Sequence, residues 1–129
     1  MKDFNKWNLY KIKLEDLRSN VKFAHAREIW WCSLGINVGV ESDGKNNNFE
    51  RPVLIMKVYN RESIVVLPIT TKPKNDPFHF KIFVKTGIYV WIKLTQVRMI
   101  SNKRLQRKVD IVGNDSFVKI REAWIKSLF

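Results

Sequence analysis

The side chains that could do chemistry in this chain are few and mostly cationic. In 129 residues there are two histidines, His25 and His79, and a single cysteine, Cys32. No glycine-rich phosphate fingerprint of the Gly-x-Gly-x-x-Gly kind, no P-loop and no histidine pair at helical spacing occurs, so neither a cofactor nor a metal has a motif to start from. One cysteine excludes an intramolecular disulfide and any zinc site built from several thiolates. A Ser-His-Asp set cannot be read from one sequence, because such groups meet in space. Chemistry that needs neither cofactor nor metal stays open to the chain.

Charge narrows the partner. Lys and Arg number 24 against 12 Asp and Glu, a formal charge of +12. The excess is concentrated: residues 72–108 hold ten basic side chains against Asp76 alone, whereas 28–71 are slightly acidic and 109–129 are neutral. That density points to a polyanion, nucleic acid first. A solvated face that keeps a small protein soluble is the bland reading of the same residues. A membrane surface fits less well, because the cations fall in strand-like segments and not on an amphipathic helix.

RNA offers a reaction suited to such a chain. Its 2′-hydroxyl attacks the adjacent phosphorus, and the phosphorane on the way to a cyclic phosphate carries extra negative charge. The reaction needs a group to take the 2′-proton, a donor for the leaving 5′-oxygen and fixed positive charge at the non-bridging oxygens. Arginine suits the last role, since its planar fork stays charged and grips phosphate. Composition does not say which arginine. Arg51, ahead of an apolar run, is an ordinary surface residue on burial statistics, and Thr70 is an ordinary strand end. His79 shares a strand face with Lys81 and Lys85, which makes it the better bare candidate, against a histidine that is merely solvated.

The elements that must position these groups follow from periodicity. Phe4, Trp7, Leu14 and Leu17 recur near helical spacing and predict a helix over 3–19. Strands are expected at 27–34, 52–58, 63–69, 78–85, 88–94 and 96–100, the second and third joined as a hairpin through Tyr59-Asn60-Arg61-Glu62. Pro68 suggests an edge position or a bulge. The span 35–50, with Gly35, Gly39, Gly44 and Asn46 to Asn48, reads as a long polar loop of functional length. In 78–85, Phe78, Phe80, Ile82 and Val84 share one face and His79, Lys81, Phe83 and Lys85 the other. A helical turn fits 102–107, and Asn114 or Asp115 can cap a last helix through Phe117, Ile120, Trp124 and Leu128. Short strands with a helix at either end predict a mainly β fold, a small bent sheet or barrel in one domain over 1–129. The longest apolar run, Ile64 to Ile69, is six residues, far from the roughly 20 that span a bilayer. With a polar start and no signal-peptide pattern, the expected place is the reducing cytoplasm, away from membranes.

Several blocks stand in register: Arg27-Glu28-Ile29-Trp30-Trp31, Gly39-Val40-Glu41-Ser42-Asp43-Gly44, Phe49-Glu50-Arg51-Pro52-Val53-Leu54-Ile55 and Val66-Leu67-Pro68-Ile69-Thr70-Thr71, then Pro77-Phe78-His79 and Leu94-Thr95-Gln96-Val97-Arg98. Together they resemble the MazF/PemK toxins of bacterial toxin–antitoxin pairs. The resemblance implies an SH3-like barrel with an N-terminal and a C-terminal helix, residues 1–26 being a helical extension and 27–129 the barrel and last helix. It also implies a homodimer, metal- and cofactor-independent cleavage of single-stranded RNA to 2′,3′-cyclic phosphate and 5′-hydroxyl ends, and an acidic antitoxin partner. By resemblance Arg51 and Thr70 hold the scissile phosphate and Glu41 is a base or positioning group. His79, Lys81, Thr71, Lys72 and Gln96 then bind substrate. The chain departs from the family pattern at Arg27, where glycine is usual, at Glu28 for Asp, and in a longer loop between Glu41 and Arg51. The alternative is a non-catalytic nucleic-acid-binding module, or a gyrase-targeting one like CcdB, on the same fold.

Overall fold

The computed structural model describes residues 2–16, 22–35, 37, 43–45 and 49–129. In chain order these form α1 (Phe4–Glu15), β1 (Glu28–Ser33), β2 (Glu50–Val58), β3 (Ser63–Thr70), β4 (His79–Phe83), β5 (Tyr89–Lys93), β6 (Arg98–Ser101), a 3-10 turn at Asn102–Arg104, β7 (Leu105–Ile111) and α2 (Asn114–Ser127). The strands make one antiparallel sheet in the order β4-β5-β3-β2-β1-β7, with β6 also paired to β3. The mainly β architecture with a helix at each end is as expected, but the sheet is open. Its outer strands β4 and β7 approach through a hydrogen bond from Lys85 N–H to Asp110 Oδ2, 2.8 Å.

The hairpin β2–β3 lies at the centre because it is apolar on both faces. Leu54, Met56, Val65, Leu67 and Ile69 belong to one core, shared with β4, β5 and α2. Val53, Ile55, Ile64 and Val66 belong to the other, shared with Cys32, Leu34, Ile100 and Leu105. Burial on both sides explains the unbroken run Ile64 to Ile69, where a half-exposed strand would alternate. Pro68 is therefore not on an edge strand. It sits between Val66, the last residue of β3 paired with β6, and Ile69, the first paired with β5. A residue without an N–H is tolerated where the strand changes neighbours.

Other differences have local causes. The stretch expected as a helical turn over 102–107 is helical only at Asn102–Arg104 and continues as β7. That strand carries Arg107, Lys108 and Asp110, and a charged edge strand hides its alternation. Gly113 is the N-cap of α2, so Asn114 and Asp115 stand in its first turn. Phe117 and Ile120 are buried beneath α2, while Leu128 lies beyond its end and is exposed. Phe78 is exposed too, leaving Ile82 and Val84 as the buried part of the face predicted for it. In α1, capped by Asp3, Trp7 and Leu14 are buried and Phe4 is exposed. Leu17 is outside the described residues.

Arg27, where the resembling family has glycine, adopts φ +79°. A non-glycine residue tolerates that region only when its surroundings hold it. Here its N–H bonds Ile55 O at 2.9 Å, its carbonyl accepts from Val112 N–H at 2.8 Å, and its Nε donates to Val112 O at 2.9 Å. The next residue, Glu28, is buried and accepts from His25 N–H (2.8 Å) and Trp30 Nε1 (3.0 Å), with Lys108 Nζ at 3.0 Å. Burial is the largest influence on its carboxyl and raises its pKa. The bonds from Trp30 and His25 and the charge of Lys108 outweigh it, so the pKa lies below its ordinary value. A carboxylate depressed in the fold adds stability above its unfolded pKa and loses it as pH falls through the folded one. Glu28→Gln is therefore expected to cost about 1–3 kcal/mol at pH 7 in urea unfolding. The gap from wild type should close as the pH drops below about 5; a gap independent of pH would show that the charge is not what matters.

Candidate functional site

One end of the central hairpin opens into a cleft of about 340 Å³ lined by Trp31, Lys45, Glu50, Arg51, Pro52, Ile69, Thr70, Thr71, Lys72, Lys74 and Lys93. The β2–β3 ladder pairs Val53 with Pro68, and continuing its register by two residues brings Arg51 abreast of Thr70. The β2–β3 pairing stops there and the two strands part, Arg51 staying paired with Cys32 of β1 and Thr70 with Trp91 of β5, and the cleft opens between them.

The guanidinium of Arg51 is held from two directions. Its Nε donates to Asp43 O at 2.7 Å and its Nη1 to Ile69 O at 3.2 Å. Both acceptors are neutral carbonyls, so the cation is oriented and its charge is left uncancelled. Burial lowers its pKa, partly offset by Asp43; an arginine remains charged regardless. The Thr70 hydroxyl oxygen accepts from Lys72 N–H at 3.2 Å, which leaves its own hydrogen to donate into the cleft.

Lys93 reports the field in this cleft. Its pKa is lowered by burial first, then by Arg51, Lys74, Lys45 and Lys72. Five cations therefore crowd one cavity, an arrangement that raises the potential seen by an incoming anion. The single acid in the lining, Glu50, is already engaged: it is 2% exposed and bonded to Arg107 Nη1 at 3.0 and 3.1 Å.

Of the residues singled out from sequence, Arg51, Thr70, Thr71 and Lys72 come together here. His79, Lys81 and Gln96 do not line the cleft. His79 pairs with Lys93 across β4–β5, but its Nδ1 lies 2.7 Å from Asp76 Oδ1, a bond that holds the Asp76 carboxyl below its ordinary pKa. Lys81 sits over the rings of Tyr89 (4.2 Å) and Trp91 (5.7 Å). Trp91 is the cross-strand partner of both Lys81 and Thr70, so a row Thr70–Trp91–Lys81 leads out of the cleft. Gln96 lies in the turn after β5, where its N–H reaches Lys93 O at 3.4 Å. Glu41 is outside the described residues. Sequence reasoning missed Trp31, Lys45 and Asp43, for which spacing carries no signal. Lys74 and Lys93 were detectable only as members of the basic segment. Among the described residues no three His, Cys, Asp or Glu side chains gather as they would around a metal ion.

Cys32 is the cross-strand partner of Arg51, a position that invites a role as nucleophile. Its surroundings argue otherwise. It is fully buried, and burial pushes its thiol up to about 12 despite Arg104 and Arg98. A thiol without thiolate does not attack. Iodoacetamide at pH 8 should leave native Cys32 unmodified and label it only in urea; labelling of the native protein at the rate of a free thiol would contradict this placement.

The fold and cleft define a class: small mainly β proteins with a cationic hollow where a central hairpin ends. Residues 25–128 match the PemK-like, MazF-like toxins of type II toxin–antitoxin systems, and the chain belongs to that family. Solved structures share the fold at low identity. MazF from Deinococcus radiodurans is 18% identical with a TM-score of 0.70, the match covering 83% of this chain and 97% of that one. An endoribonuclease from a mycobacterial species, solved in complex with its cognate antitoxin, is 16% identical at 0.62, covering 81% and 94%. The Mycobacterium tuberculosis toxin MazF-mt6 is 17% identical at 0.61, covering 79% and 96%. No curated protein matches by sequence. Among the described residues no helix is long and apolar enough to cross a membrane.

Proposed function

We propose that this toxin is a metal-independent endoribonuclease that cuts single-stranded RNA to 2′,3′-cyclic phosphate and 5′-hydroxyl ends. The observation that carries the reading is the meeting of an oriented, charge-bearing Arg51 with the Thr70 hydroxyl in a lysine-rich cleft. The 2′-oxygen bonds to phosphorus as its proton passes to a base; by the family resemblance Glu41 is a base or positioning group here. The bond from phosphorus to the 5′-oxygen breaks, and that oxygen takes up a proton. Arg51 stabilises the charge that builds on the non-bridging oxygens between these events, where preorganised cations act most strongly. Thr70 and the backbone around Thr71 and Lys72 fix the phosphate's orientation. Lys74 and Lys93 draw the strand in, and the row through Trp91 to Lys81 gives the flanking nucleotide a ring and a cation to lie against.

The same charges suit a second ligand. An acidic antitoxin segment lying in this cleft would cover Arg51 and Thr70 together; a mycobacterial endoribonuclease is solved in complex with its cognate antitoxin, and MazF of Deinococcus radiodurans is solved as MazE–MazF. A homodimer is the working assembly proposed for the toxin.

The purified chain should cleave single-stranded RNA in the presence of EDTA. Arg51→Ala is expected to lower the rate by about 10²–10³ with an unchanged circular dichroism spectrum, and Arg51→Lys should not restore it, since an ammonium lacks the planar fork. Thr70→Val should lose on the order of 10-fold, one hydrogen bond's worth. Cleavage that survives Arg51→Ala removes this cleft from the mechanism. RNA binding with no cyclic-phosphate ends from the wild type would favour a binding module instead.

A further inference from the structure

Residues 2–15 precede the stretch that matches the family, 25–128, yet they touch the loop that shapes the cleft. Trp7 is 4% exposed and its indole occupies the space beside Gly35, where an added Cβ would stand 2.0 Å from the ring. Gly35 also has φ +83°, so both its backbone and its missing side chain admit the indole. At the loop's far end Phe49 meets Trp7 at 5.3 Å and Tyr10 at 5.7 Å between ring centroids. The two ends are tied to each other, Gly35 N–H to Phe49 O at 3.1 Å, and Gly44 N–H returns to Gly35 O at 2.6 Å. Thus α1 grips the neck of the loop.

Lys2 grips a point nearer the site. Its Nζ lies 3.1 Å from Asp43 Oδ2 and donates to Asn37 O, while Asp43 Oδ1 accepts from Asn37 N–H at 2.6 Å. The carbonyl of that same Asp43 is the acceptor for Arg51 Nε. One residue separates the N-terminal segment from the guanidinium.

We infer that residues 2–15 form a positioning clamp for Arg51, with Lys2 and Trp7 as its working side chains. Its effect on catalysis rests on the nuclease reading above; its effect on the loop does not. The clamp can be released without dismantling the sheet, because Trp7, Leu14 and Phe49 form a cluster separate from the two cores around β2 and β3. Its action falls on the placement of a reacting-phase cation, so it belongs in turnover more than in RNA affinity.

The test uses the full chain carrying Lys2→Ala or Trp7→Ala, with Lys2→Arg and Trp7→Phe as conservative counterparts and Lys13→Ala as a control for charge lost from α1. Cleavage of a single-stranded RNA oligonucleotide and amide hydrogen exchange are both followed. In the alanine variants kcat should drop roughly 10-fold with KM within about twofold, because misplacing a catalytic group slows the step it assists. The amides of Gly44 and Lys45 should exchange about 10-fold faster, as a local opening allows, while Ile55 and Leu67 keep their protection. Lys2→Arg, Trp7→Phe and Lys13→Ala should behave as wild type. Unchanged kcat and unchanged exchange in both alanine variants overturn the clamp. A rise in KM alone also overturns it and makes the segment an RNA-binding arm. Should the wild type cut no RNA, the nuclease reading fails while the exchange comparison still decides the clamp.

Discussion

A guanidinium held by two backbone carbonyls is the constraint on which the site depends. Asp43 O and Ile69 O approach Arg51 from the loop and from β3, and neither neutralises it. A carboxylate in either place would have oriented the cation equally well and cancelled the charge a phosphate needs. Neutral acceptors give direction without that loss. The cost is burial of charge and then repulsion among the cations, which together lower the pKa of Lys93, and the stability of the sheet beneath must carry it.

The sheet can do so because its central hairpin is buried on both faces. β2 and β3 are gripped by two cores, so the ends of these strands are the stiffest available mount for a side chain. The cleft lies where the β2–β3 pairing runs out, and Arg51 and Thr70 are still held on their other sides, by β1 and by β5. The one acid in the lining, Glu50, is paired with Arg107, and Asp43, whose carbonyl holds Arg51, has its carboxylate paired with Lys2. The positive field of the cleft is thus set by the pairing of its nearest acids as well as by the lysines within it.

Two substitutions relative to the family pattern are absorbed by local bonding. Arg27 keeps a left-handed backbone by bonding on both sides to Val112, and Glu28 anchors a buried knot of three donors. Both lie at the start of β1, five and four residues before Cys32, the cross-strand partner of Arg51. The N-terminal segment ahead of the family match works in the opposite sense, reaching the loop directly through Lys2 and, from α1, through Trp7.

Local pattern alone determined the central hairpin, the helix at each end and the basic character of 72–108, because apolar runs, helical spacing and charge are properties of neighbouring residues. It also marked Arg51 and Thr70, though only through the resemblance of whole blocks, since neither has a neighbour in the chain that betrays a role. What tertiary structure decided was which cations share a cavity. Lys45, Lys74 and Lys93 join Arg51 from three separate segments, whereas Lys81 and His79, equally promising on a strand face, are turned to Tyr89 and Asp76. The place of Pro68 and the strand β7 likewise depended on pairing partners far along the chain. Proximity across a sheet is set by register and strand order, and those arise from packing the whole chain, not from any window of it.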